Sequence, residues 1–182
     1  DFVGIVDASS HGVGGVIVSE CSTCAPTVFR LEWPPDVKAD IKSFTNPTGS
    51  ITNSDLEMAG ILLLWLVLEG VCDSLREKCV AFFSDNSPTV AWATRLASRK
   101  SVIEEHFVQA LALCMKANKT CPLTALHIEG KRNAISDIPS RSFGSNPAWH
   151  CKTDDEFLTL FNSTFPLPSQ NSWTGFRLTS KI

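Results

Sequence analysis

From Met58 to Leu68 the chain carries no charged or polar side chain. Thr52-Asn53-Ser54 offers capping residues just before this run, and the apolar character persists to Val71. Together they predict one helix. A helix that is apolar almost all round has no face suited to water, so it must be covered on every side. That places it centrally, packed on a sheet. The stretch is too short for a bilayer span, which needs about 20 residues.

The segments around it read as strands. Residues 2–7 and 13–19 are apolar runs joined by a glycine-rich hairpin containing Gly12, Gly14 and Gly15. Residues 27–33 alternate well enough for a third strand, which Pro34-Pro35 ends. Residues 79–84 form a fourth and residues 122–129 a fifth. Between the last two, Asn86-Ser87-Pro88 opens a helix to about Ala97, and Ser101 opens another to about Ala117. Asn133 begins a further short helix or turn. The first three strands suit an antiparallel meander. The later two enter through helical crossovers and therefore run parallel to a neighbour. The expected class is α/β: a mixed five-stranded sheet, three antiparallel and then two parallel strands, with helices on both faces. After Ser142 the composition shifts to Asn, Pro, Ser, Thr and isolated aromatics. The expected division is a domain over 1–142 and a C-terminal extension or tail over 143–182, with one helix near Asp154–Phe161.

Two apolar strands each end on an acid: Asp7 after Phe2–Val6, and Asp85 after Cys79–Ser84. If those strands are neighbours, both acids project from one sheet edge. Glu57 sits in the first turns of the central helix, and Asp137 opens the helix after the fifth strand. Each has an ordinary structural reading. Asp7 could end a strand, Asp85 could cap a helix, and Asp137 could favour a helix N-terminus. Ser54-x-x-Glu57 has capping-box spacing, but Thr52-x-x-Asp55 offers the same box and would leave Glu57 free. Four acids converging from separate elements would repel unless cations held them. Hard divalent ions with oxygen ligands suit such a set, and two of them can activate water and stabilise the leaving oxygen in phosphodiester cleavage.

The formal net charge of −3 argues against a general nucleic-acid coat protein but not against a metal-dependent nuclease. The cysteines number seven, and Cys72, Cys79 and Cys114 lie within apolar runs. This suits buried thiols in a reducing, intracellular compartment, cytoplasmic or nuclear. Zinc at Cys21 and Cys24 would need two more ligands; only His150 and Cys151 offer themselves, far along the chain, so the loop reads as carrying free thiols. No signal peptide or membrane span is expected. The abrupt start within a strand-like run suggests a piece of a longer protein.

The chain resembles the ribonuclease H domain of LTR-type retroelement polyproteins. The matching pieces are Asp7-Ala8-Ser9 with the hairpin glycines, Asn53-Ser54-Asp55-Leu56-Glu57, Phe83-Ser84-Asp85-Asn86, and Gly130-Lys131-Arg132-Asn133 followed by Asp137 and Ser140-Arg141. They cover about residues 1–142 in the family's order. The resemblance implies a ribonuclease H-like fold whose four acids, Asp7, Glu57, Asp85 and Asp137, bind two Mg2+ ions, with Mn2+ as a substitute. It implies cleavage of the RNA strand of an RNA–DNA hybrid, with a polymerase or other domain of the parent polyprotein as a further partner. Two departures stand out. Pro139 follows Asp137 closely and removes a helix donor, so the setting of Asp137 is expected to differ. The loop before Asp137 is short, and His127 falls within the fifth strand rather than in that loop.

Ser9 and Ser10 are expected to line the cleft beside Asp7 with His11, a solvent-facing turn residue. Arg132 and Asn133 are expected at phosphate or sugar. Arg95, Arg99 and Lys100 either track the DNA strand or form a solvated helix end. Trp65 and Trp92 read as core, and Trp173 as exposed. Two rivals share the fold: a binding or scaffold domain with weak catalysis, and a DNA nuclease or strand-transfer enzyme.

Overall fold

The computed structural model describes residues 1–20, 24–97, 102–168 and 171–178. Along the chain run β1 (Phe2–Ala8), β2 (Gly12–Ser19), β3 (Thr27–Glu32), α1 (Pro35–Asp40), α2 (Asn53–Val71), β4 (Val80–Ser84), α3 (Ser87–Arg95) and α4 (Val102–Asn118). There follow β5 (Thr124–His127), a short 3-10 turn at Gly130–Arg132, α5 (Ala134–Arg141), α6 (Asp154–Thr164) and β6 (Thr174–Phe176). The strands form one sheet in the order β5-β4-β1-β2-β3-β6. β1–β2 and β2–β3 are antiparallel, while β1–β4, β4–β5 and β3–β6 are parallel. The expected mixed sheet is present, but it has six strands rather than five. The sixth comes from the segment read as an extension or tail. Its three residues are too few to leave an alternating pattern in the sequence.

Helix α2 is the centre of the larger core. Leu64, Trp65, Val67 and Leu68 are fully buried. Thr52 caps it, and the Thr52–Asp55 capping box closes on both sides, as the spacing predicts. This face of the sheet carries Phe2, Val6, Val13, Ile17, Phe29 and Phe82, covered by α2, α3 and α4. Trp65 and Trp92 lie in this core as expected. The opposite face presents Val16 and Val28 to Ile138 of α5 and to Phe157 and Phe161 of α6. Helices therefore cover both faces. Among the described residues, none is long and apolar enough to cross a membrane.

Trp149, Cys151, Phe157, Phe161 and Trp173 pack on the second face, while Phe176 and Leu178 pack against the larger core. Trp173, expected to be exposed, is buried: its indole N–H donates to the Phe165 carbonyl at 2.8 Å, and its ring meets Phe161 edge-on. Isolated aromatics after Ser142 thus build a small core of their own. Arg30 of β3 fastens this layer. Its guanidinium lies between the Phe143 and Phe157 rings, 4.7 Å from each centroid. It donates to the Ser142 hydroxyl, the Cys151 and Thr153 carbonyls, and Asp154 Oδ1. A buried charge with its donors used in this way is satisfied rather than stranded.

Candidate active site

Strand pairing brings the first two acids together. In the parallel β1–β4 ladder Ile5 lies beside Phe83. Carrying that register forward by two residues sets Asp7 beside Asp85, both at the C-terminal edge of the sheet. Glu57 arrives from α2. Since Asp55 completes the capping box, the Glu57 carboxylate is free to reach the strand tips. Its Oε1 accepts the Ala8 N–H at 3.3 Å and its Oε2 accepts the Ser84 hydroxyl at 3.3 Å. Ligand oxygens of Asp7, Glu57 and Asp85 lie within 4.8 Å of one another.

The electrostatics of this trio are unfavourable without a cation. Asp7 and Glu57 are 5% and 1% exposed. Burial, then the charges of Asp7 and Asp85, push Glu57 up to about 9. Burial also pushes Asp7 up to about 6; the Ser140 hydrogen bond pulls the other way, while Asp137 and Asp85 add to the rise. Among the described residues, no lysine or arginine forms a salt bridge with any of the three. Arg141 nearby lowers the Asp7 pKa only as the smallest of its influences, and clustered carboxylates of this kind match the all-oxygen donor set that Mg2+ and Mn2+ prefer.

Helix α5 brings Asp137 alongside but not into the trio. Its carboxylate is hydrogen-bonded by Arg141 Nε, one helical turn on, and is partly exposed. The helix continues through Pro139, which rests on the sheet instead of ending it. Gly14 permits this. It lies opposite Asp7 in the β1–β2 ladder, and a Cβ there would stand 2.2 Å from Pro139 Cβ and 2.6 Å from the Ser140 nitrogen. With no side chain in the way, α5 settles on β2 and Ser140 donates its hydroxyl hydrogen to Asp7 Oδ2. The glycine-rich strand is thus a seat for the helix as well as part of a hairpin.

The acids open into a cleft of about 550 Å³ lined by Ser9, Ser10, His11, Lys42, Asn53 and Arg141 among others. Ser9 lies on it as expected, but its hydroxyl is engaged: it donates to the Ser140 carbonyl at 2.8 Å and accepts the His11 N–H at 3.1 Å. Ser10 and His11 are exposed on the same hairpin. Arg132 and Asn133 do not line the cleft. Arg132 is exposed beside Glu129, at 3.6 Å. Asn133 is buried at the start of α5, where its Oδ1 accepts the Ser136 hydroxyl at 2.5 Å and its Nδ2 has no partner. His127 is a strand residue, as expected, with Nε2 3.1 Å from the Asp85 carbonyl oxygen. Arg95 ends α3; Arg99, Lys100 and Cys21 lie outside the described residues. Ser84, Ser140, Lys42 and Asn53 also stand at the acids or on the cleft, although none was expected as a site residue. Ser84 and Ser140 could have been found from their places beside Asp85 and three residues after Asp137.

No family model matches the chain, and no curated protein sequence matches it. Solved structures do. A structure of LC11-RNase H1 in complex with RNA/DNA hybrid aligns over 76% of this chain and 93% of its own, with TM-score 0.55 and 17% identity. The RNase H1 of the halophilic archaeon Halobacterium salinarum NRC-1 aligns over 78% of this chain and 95% of its own, with TM-score 0.55 and 11% identity. The strand order, the three converging acids and these alignments lead to one statement about architecture: the chain has the ribonuclease H fold.

Proposed function

We propose that the chain is a metal-dependent endonuclease that cleaves the RNA strand of RNA–DNA hybrids. The observation that carries this reading is the convergence of Asp7, Glu57 and Asp85, two of them buried, with no salt-bridged cation among the described residues. These three would hold divalent metal, with Asp137 joining from α5 to complete sites for two Mg2+ ions or for Mn2+ in their place. When bound, the ions supply Lewis-acid stabilisation of phosphate charge and a water made acidic enough to attack. The chain's own groups set the acids. Ser140 orients Asp7, while Ser84 and the Ala8 N–H orient Glu57. Ser9 fixes the hairpin against α5, and Asn133 sits at the start of that helix, so both act by positioning. Ser10 and Arg132 are exposed and suited to sugar and phosphate. The RNA strand would be recognised by its 2′-hydroxyls.

The order of motifs supports a parent polyprotein of the retroelement type, with a polymerase or other domain as neighbour. A second reading, a hybrid-binding domain with weak catalysis, is favoured by one observation: Asp137 is already paired with Arg141. Cleavage of a labelled hybrid, titrated with Mg2+ and Mn2+ and compared with duplex DNA, tests the proposal. The expected result is cutting of the RNA strand alone, abolished in Asp7→Asn with the fold intact. Activity retained in Asp7→Asn removes the proposed site. Binding without cutting at any metal concentration selects the second reading, and preferential cutting of duplex DNA selects a DNA nuclease.

A further inference from the structure

The loop between α1 and α2 forms one rim of the cleft, through Ile41, Lys42 and Ser43. At its tip stands Phe44, completely exposed, and it is the only aromatic among the large apolar side chains that are exposed in the described residues. An aromatic ring left wholly in water adds nothing to the fold.

The loop is not loose chain that happens to carry a ring. Its base is closed by the Ile41–Ile51 bridge, with the Lys42 N–H donating to the Ile51 carbonyl at 2.8 Å and the Ile51 N–H to the Asp40 carbonyl at 3.1 Å. Asn46 ties the tip inward: its Nδ2 donates to the Ala39 carbonyl at 2.9 Å and the Ile41 carbonyl at 3.1 Å. Ser43 and Asn46 exchange backbone hydrogen bonds across Phe44 and Thr45. Gly49 lets the two limbs cross. A Cβ there would stand 2.6 Å from the Asp40 carbonyl oxygen. Ser50 is held by the Asp40 carboxylate through both its N–H and its hydroxyl. This cross-bracing fixes the backbone that carries the ring relative to the acids before any ligand arrives, which lowers the ordering cost of contact.

We propose that Phe44 is a substrate-contacting residue that lays its ring against the sugars and base edges of the hybrid's shallow groove beside the cut site. The inference rests on the nuclease reading and adds a contact to it. The scissile phosphate lies at Asp7, Glu57 and Asp85, so a helix of nucleic acid seated there must pass over the neighbouring rim. A paired helix offers no free base face for stacking. What it does offer, in A-like geometry, is a wide and shallow minor groove lined with sugars. An apolar ring fits that surface. Lys42, two residues before Phe44, adds a cation suited to the adjacent phosphate.

The test is binding of a fluorescein-labelled RNA–DNA hybrid, read by anisotropy in Ca2+, with cleavage in Mg2+ measured separately. Phe44→Ala is expected to weaken binding on the order of tenfold, the loss of much of one buried aromatic contact. That factor is expected to be the same at low and high salt. Lys42→Ala is expected instead to flatten the salt dependence, as loss of a phosphate contact does. Phe44→Trp should restore affinity. Because the ring touches nothing in the fold, thermal melting should be unchanged in all three variants. A Phe44→Ala protein that binds as wild type overturns the contact and leaves the nuclease reading standing if the RNA is still cut. Loss of affinity that vanishes at high salt also overturns it, since that is the signature of charge. Wild-type protein that neither binds nor cuts the hybrid sinks both readings together.

Discussion

Glu57→Gln should make the metal-free protein more stable at neutral pH while destroying its proposed activity. Burial and the charges of Asp7 and Asp85 hold Glu57 up at about 9, against an ordinary value of 4.5. The folded protein thus keeps a proton that the unfolded chain has released, and stability must fall as pH rises between those two values. At about pH 7.5 the unfolded chain has gained roughly three pH units of ionisation that the fold denies it. At about 1.36 kcal/mol per unit this approaches 4 kcal/mol, so a gain of about 2–4 kcal/mol is the expected size. Glutamine keeps an oxygen for the Ala8 N–H and the Ser84 hydroxyl, and its N–H groups suit the carboxylates of Asp7 and Asp85. Urea unfolding in EDTA, followed through Trp65 in the core, measures the difference at about pH 4.5 and about pH 7.5. The two proteins should be nearly equal at the lower pH and well separated at the higher. Added Mg2+ should then stabilise wild type and leave the glutamine variant unmoved. A difference that does not change with pH, or a variant less stable at about pH 7.5, refutes the electrostatic argument.

Other perturbations test the supports around the acids. Gly14→Val should lift α5 off β2, break the Ser140–Asp7 contact and lower cleavage by at least tenfold, an effect visible in kinetics and in hydrogen exchange of α5. Ser140→Ala removes a bond that lowers the Asp7 pKa, so in the metal-free protein Asp7 should titrate above about 6, which carboxyl-carbon NMR in EDTA reads directly. Arg30→Ala takes the Arg30 donor from the buried Cys151 carbonyl and empties the space between Phe143 and Phe157; a loss of about 3–5 kcal/mol is expected in urea unfolding.

Much of this site was legible because strand periodicity and the positions of acids are local signals. Asp7 and Asp85 each end an apolar run, and parallel pairing then sets them side by side. Spacing offered both Thr52–Asp55 and Ser54–Glu57 as capping boxes, and the fold uses the first, which leaves Glu57 for the strand tips. What the sequence hid depends on contacts between distant segments. Nothing near Gly14 announces that a helix 125 or so residues later will rest on it. Asn133, expected at substrate, turns inward, where its Oδ1 accepts the hydroxyl of the buried Ser136. Trp173 looked exposed because polar neighbours surround it in sequence, whereas its burial is set by Phe161 and Phe165 across the fold. β6 also escaped, too short to show a period.

Covering β3 with β6 has an outcome beyond adding a strand. Without residues 143–178, β3 would be the outermost strand, with backbone amides and carbonyls open along its free side. Such a border is a template on which another molecule can build. Shortened versions of this chain ending near Ser142 should therefore fail by clumping into β-rich aggregates at high concentration, even where the acid-bearing half still forms.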